Sequence, residues 1–353
     1  MSIFGTMKSS TGFFLKILVV LFLMIELIVI ATYFLAAPLG LSLLFGSSDG
    51  AAYAEHYVRL YVLVFLLPFR LPVATNIGGL FSVLMVMYTV CLVGSWLLDP
   101  SLQRTVRDML SVSPLRIFRN WILAMPLISN MLLMIIVLLQ SFQEAGGIPT
   151  GGITFTSPFE TLTELAYSPI LEEVGFRITP IGAFLAIQAI MIWRARRFSN
   201  YPVSLSRMLI LSILVPERFR KFAGLRTIEN NGILKGIGLP GWIVILLTSV
   251  AFGLAHFLSG SGWQVGKISS AFVAGLALSL VYWRYGAHAA TLLHWFFNYY
   301  SYVYQLASDT YAHAFSRLLY LIQDATLWLG IIGGLSLLLM LVLRIRAGNQ
   351  EKV

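Results

Sequence analysis

Charge is what this chain lacks most. Only 11% of its 353 residues are Asp, Glu, Lys or Arg, against 58% hydrophobic. Soluble domains carry about a quarter charged residues, so a water-facing globule of this size is excluded. Lipid must be the solvent over most of the surface. Cysteine is all but absent: Cys91, inside an apolar run, stands alone. An intrachain disulfide and a thiolate metal cluster are therefore excluded, and Cys91 reads as a small apolar filler. The chain also lacks an HExxH zinc-peptidase helix, a GxSG serine motif, a fixed-period repeat and a low-complexity linker.

What is present is a series of long apolar runs, at about 13–37, 77–98, 121–140, 168–193, 238–257, 268–284, 286–304 and 318–343. Each approaches the ~20 residues a membrane helix needs. The expected architecture is an all-α polytopic transmembrane bundle of roughly eight spans, one membrane domain over 1–353. The first run continues past the length of a signal-peptide core, so it is expected to stay in the membrane. The stretch 57–76 is apolar but broken by Pro68, Arg70 and Pro72. It reads as an interfacial or re-entrant lead-in to the second span.

The formal net charge of +9 comes from basic residues gathered between the runs. Arg104, Arg107, Arg116 and Arg119 occupy 99–120, and nine Lys and Arg, from Arg194 to Lys235, occupy 194–237. The C-terminus adds Arg344, Arg346 and Lys352, whereas the alternate loops are neutral or acidic. The positive-inside rule accounts for this without a nucleic-acid partner. It predicts a multi-pass cell-membrane protein with both termini cytoplasmic and 194–237 as a basic cytoplasmic loop. Short amphipathic helices or a plain solvated loop both fit that segment.

Ionisable residues inside spans cost at least ~2.5 kcal/mol at a helix centre, so each demands a reason. Three groups stand out. In Glu172-Glu173-Val174-Gly175-Phe176-Arg177, opening the fourth span, Glu173 and Arg177 are four apart in the favourable acid-before-base order. Glu172 lies about 100° around the helix and stays free for proton transfer. Pro180 should kink that helix or free a carbonyl nearby. Phe252 and His256 share a face at the end of the fifth span, and His294 and Asn298 share one in the seventh. A histidine and an amide so stacked can position a water or stabilise an oxyanion, and can equally serve as an interhelical clasp. With a cytoplasmic N-terminus, all three groups fall in the outer half of the bilayer. His288 faces elsewhere and reads as structural. Ser259-Gly260-Ser261-Gly262 reads as a turn, not a serine nucleophile site.

EExxxR at Glu172–Arg177, FxxxH at Phe252–His256 and HxxxN at His294–Asn298, in this order on successive helices, resemble the CPBP family of intramembrane proteases, which comprises CAAX proteases and bacteriocin-processing enzymes (the Abi group). The resemblance covers about 166–304 and implies a catalytic core there. It implies that Glu172 activates a water, that His256, His294 and Asn298 orient it and stabilise the oxyanion, and that Glu173 and Arg177 support the site. One departure is Ile178, where many relatives have glycine. Another concerns topology, since prenyl-CAAX processing occurs at the cytosolic face. A different substrate, an inward-opening cavity or a reversed orientation would each reconcile this with the loop charges.

The expected activity is hydrolysis of a peptide bond in a membrane-associated or prenylated substrate. Glu172, His256 and His294 could also form a two-histidine, one-carboxylate site for a divalent metal such as zinc, and metal and metal-free versions both stay open. The rival readings are a non-catalytic scaffold or immunity protein of the same fold, and a proton-coupled transporter. The expected partners are membrane lipid and a peptide or lipidated-protein substrate.

Overall fold

The computed structural model describes residues 9–98, 100–196, 204–311 and 313–350. Lys8, Arg197 and Lys352 lie outside the described residues. The chain begins with α1 (Ser9–Gly46) and the short α2 (Ser48–Ala54), followed by strands β1 (Tyr57–Val64) and β2 (Leu67–Asn76). Helices α3 (Ile77–Leu97), α4 (Leu102–Ser111) and α5 (Trp121–Ala145) come next. Then α6 (Pro158–Glu173) runs through a π turn (Val174–Ile178) into α7 (Pro180–Arg196). Three short helices follow in the described residues of the basic loop: α8 (Leu205–Leu214), α9 (Pro216–Phe222) and α10 (Ile228–Ile237). Next are α11 (Leu239–Leu258), α12 (Gly266–Tyr285) and α13 (Ala287–Trp295). A second π turn (Phe296–Tyr300) joins α13 to α14 (Ser301–Tyr311), and α15 (His313–Gln350) ends the bundle.

Among the described residues, seven helical stretches are long and apolar enough to cross a membrane. They correspond to all the expected spans except 286–304. That segment lies in a continuous helical run from Ala287 to Tyr311. Its side chains from Ala289 to Phe296, and Tyr299, Tyr300, Val303 and Tyr304 beyond, are buried inside the protein. A helix enclosed by other helices needs no lipid-grade hydropathy, and here it has tyrosines instead. Tyr304 donates to Thr32 O at 2.7 Å, Tyr299 to Ala36 O at 3.3 Å, and Tyr300 pairs with the Thr32 hydroxyl at 2.6 Å. The Tyr33 ring of α1 meets Trp295, Phe296 and Tyr300 edge-on. Such ring pairs contribute about 0.5–1.5 kcal/mol each beyond area burial. At Gly40 a Cβ would lie 1.8 Å from the Tyr299 hydroxyl, so α1 can approach the central run this closely only without a side chain there.

Two expectations are corrected. Residues 57–76, expected as an interfacial or re-entrant lead-in with no strand in it, form an antiparallel hairpin. Pro68 and Pro72 deny a helix its N–H donors but are tolerated on an edge strand. Tyr57 pairs with Asn76 and Val64 with Leu67, and Phe65 and Leu66 carry the turn at positive φ (46° and 70°). The hairpin docks on the α6–α7 run. Tyr61 N–H donates to the Tyr167 hydroxyl, which donates back to Tyr61 O, and Phe65 N–H donates to Thr179 Oγ1. Gly175 makes room for Leu63, whose Cβ would sit 2.6 Å from any added Cβ.

The second correction concerns the fourth span, which starts at Pro158 and not near 168. Ser157 caps it, accepting from Glu160 N–H, with Pro158 in the first turn. Glu172 therefore lies about 21 Å along the helix, at 1.5 Å per residue, instead of at its opening. Within the basic segment, the described residues 204–237 carry three short helices.

Candidate active site

Pro180 shapes the first side of the site. It has no N–H to return to Phe176 O, and the turn before it widens: Thr179 N–H donates to Val174 O at 3.0 Å, five residues back. Thr179 Oγ1 donates to the same carbonyl at 2.8 Å. Glu172 and Glu173 end the α-helical stretch just before this π turn, and Arg177 lies within it.

The expected Glu173–Arg177 pair is present at 2.9 Å, with both side chains 1% exposed. Phe252 supports it from α11, its ring centroid 4.1 Å from Arg177 Cζ. Glu173 Oε1 also takes His294 Nδ1 at 2.8 Å. One carboxylate oxygen thus accepts from a guanidinium and an imidazole at once. Because the carboxylate accepts, Nδ1 carries the proton and neutral His294 keeps its lone pair on Nε2. That nitrogen lies 3.6 Å from Glu172 Oε2, too far for a direct hydrogen bond. Glu172 Oε2 is buried and has no hydrogen-bond partner. A buried carboxylate oxygen without a donor is uncommon and marks a place where a donor is wanted.

His256 follows the same rule. Its Nδ1 lies 2.8 Å from Phe252 O, and a carbonyl can only accept, so Nε2 again holds the lone pair. The Phe252 ring packs against both imidazoles, 4.6 Å from His256 and 5.8 Å from His294 between centroids. His256, His294 and Asn298 line one cavity of about 200 Å³ between α5, α11, α12 and the central run. Asn298, inside the second π turn, donates to Ser168 Oγ at 3.1 Å. Each expected residue is therefore in or beside one site. His288 lines a different cavity, near the far end of α12.

Two further residues bring polar donors to the cavity. Lys267, in the first turn of α12, lines it and lies 3.8 Å over the Trp263 ring. Gln140 reaches in from α5 and donates to Ser270 Oγ at 3.1 Å. The signal for Lys267 was available: a lone cation opening a span just after the turn that follows His256. Gln140 had no local pattern to reveal it. The loops at this end are tied together. Gly151 bridges Trp263, and Gly266 N–H donates to Pro149 O at 2.9 Å. Gly260 and Gly262 take positive φ, as the expected turn requires.

As a metal site the constellation does not fit. Among the described residues no group of three or more His, Cys, Asp or Glu side chains is disposed to hold an ion.

A helical membrane bundle thus encloses two carboxylates, two imidazoles with inward lone pairs, an amide and an ammonium. Residues 154–300 match the family model of the type II CAAX prenyl endopeptidase Rce1-like group, a match that contains all three motifs and bears out the resemblance read from them. That family is one of membrane proteases. No curated protein and no solved structure matches the chain.

Proposed function

We propose that the protein is an intramembrane endopeptidase in which Glu172 is the general base and acid. The observation that carries this is Glu172 Oε2, buried without a donor and 3.6 Å from the lone-pair nitrogen of His294. A water donating one hydrogen to Glu172 and the other toward His294 Nε2 would satisfy both. Glu172 takes the first proton as the water oxygen attacks the peptide carbonyl carbon. The carbonyl π bond opens onto oxygen, and Glu172 returns the proton to the amine as the C–N bond breaks.

The two histidines present lone pairs, so in their neutral forms they orient water and do not donate to the oxyanion. That role falls to N–H donors: the second amide hydrogen of Asn298, and the Lys267 ammonium. Glu173 holds His294 in the productive tautomer, and Arg177 fixes Glu173 in place by donating to the same oxygen. The substrate class is a membrane-associated peptide, prenylated (CAAX-type) in keeping with the family.

Glu172→Gln tests the reading, because it keeps shape and removes the base. In proteoliposomes with a fluorogenic membrane peptide, we expect a loss of about 10²–10⁴ in kcat with little change in KM. A scaffold or transporter would show no hydrolysis in either form. Wild-type turnover in folded Glu172→Gln would remove the proposal.

A further inference from the structure

At the opposite end of α12, about 25 Å from Lys267 at 1.5 Å per residue, is a second polar cavity, of about 510 Å³. It gathers side chains from both basic loops and the ends of three spanning helices. Five cations line it (Arg104, Arg119, Arg218, Lys221 and Arg284) against two carboxylates, Glu217 and Glu229, an excess of three positive charges. Both carboxylates are already engaged. Arg284 lies 3.1 Å from Glu217 and 3.7 Å from Glu229, and Arg119 lies 3.2 Å from Glu229 and 3.5 Å from Asp108, a third carboxylate just outside the lining that reduces the local excess to two. Burial also pushes the Glu217 carboxyl up, ahead of the pull of backbone N–H groups and Arg284.

Beside this cavity is an apolar groove of about 670 Å³ between α5, α12 and α15, lined by Ile128, Leu132, Leu280, Val281 and Leu337. Arg119, Glu229, Arg284 and Tyr285 line both. A cationic chamber at the ends of spanning helices, sharing four lining residues with an apolar groove between them, matches one ligand chemistry in both charge and polarity. We propose that the protein binds an anionic phospholipid here, the phosphate headgroup among Arg119, Lys221 and Arg284 and an acyl chain in the groove. A free phosphate would use the chamber and leave the groove without a role.

The test uses full-length detergent-purified protein titrated with dioleoyl phosphatidic acid, dioleoyl phosphatidylcholine or glycerol 3-phosphate. Bound species are counted by native mass spectrometry, with the thermal midpoint followed in parallel. We expect phosphatidic acid to bind at least tenfold tighter than phosphatidylcholine and glycerol 3-phosphate. Lys221→Glu reverses an exposed charge that the fold does not need, and should weaken phosphatidic acid about tenfold. Ala277→Phe fills the groove without touching the chamber and should weaken the lipid but not glycerol 3-phosphate. Equal binding of the two lipids would overturn the proposal. So would glycerol 3-phosphate binding as tightly as phosphatidic acid, or unchanged lipid affinity in both folded variants.

Discussion

Glu173 is the residue whose removal says most about how the site is built. Its Oε1 accepts from Arg177 at 2.9 Å and from His294 at 2.8 Å in a setting with almost no exposure. Replacing it with leucine strands a buried guanidinium, which costs about 3–5 kcal/mol. It also strands the His294 N–H, which costs about 1–3 kcal/mol. Glu173→Leu should therefore lose roughly 4–8 kcal/mol, enough to unfold many proteins of ordinary stability. Adding Arg177→Leu removes the stranded charge, so the double variant should recover most of the loss and retain only the histidine's share of about 1–3 kcal/mol. Activity should not recover with it. With no acceptor at Nδ1, His294 is free to move its proton to Nε2, the wrong nitrogen for holding the water, and kcat should fall about 10²–10⁴. Thermal unfolding in detergent and peptide hydrolysis in proteoliposomes, read on the same preparations, separate the two effects. A double variant as unstable as the single one, or one with wild-type kcat, would refute this account.

Three other outcomes follow from named contacts. Glu26 in α1 is fully buried with neither carboxylate oxygen hydrogen-bonded, so Glu26→Leu should raise stability by about 1–3 kcal/mol, and a lower thermal midpoint would contradict this. Phe65 and Leu66 hold a turn that favours Asn-Gly; Phe65→Asn with Leu66→Gly should stabilise the hairpin by about 1 kcal/mol, seen as slower amide exchange in 57–76. Glu217 is raised by burial from its usual value of 4.5, so its protonation favours the fold. That contribution is complete below the unfolded pKa and disappears as pH rises through the folded one. Glu217→Gln should flatten the fall in thermal midpoint across the mildly acidic range; an unchanged slope counts against it.

Much of this was legible in the sequence because lipid imposes a blunt requirement. Runs such as 121–140 and 238–257 have no other solvent open to them. The seventh span was read from its weak apolar pattern, although the tyrosines that make it the centre of the protein argue against a lipid-facing helix. The start of α6 was missed because Glu160, Glu164 and two threonines, Thr161 and Thr163, lower the hydropathy of its first turns. The hairpin was missed because Pro68, Arg70 and Pro72 interrupt either periodicity, and most of its side chains are exposed. Within the site, spacing gave the Glu173–Arg177 pair, since both residues belong to one helix. It could not give the Glu173–His294 contact, which joins residues 121 apart. No local pattern encodes a meeting of that kind.

The two wide turns, at Val174–Ile178 and Phe296–Tyr300, are each one residue longer than the regular winding requires. That surplus acts as a phase adjuster between the two halves of each helix. Deleting a single residue from either would let the winding close normally and swing one half by about 100° against the other. Each half would stay as apolar as before and still suit a bilayer, yet Glu173 and His294 would no longer meet. Chain length at these two points thus sets the alignment of the chemistry as strictly as residue identity does.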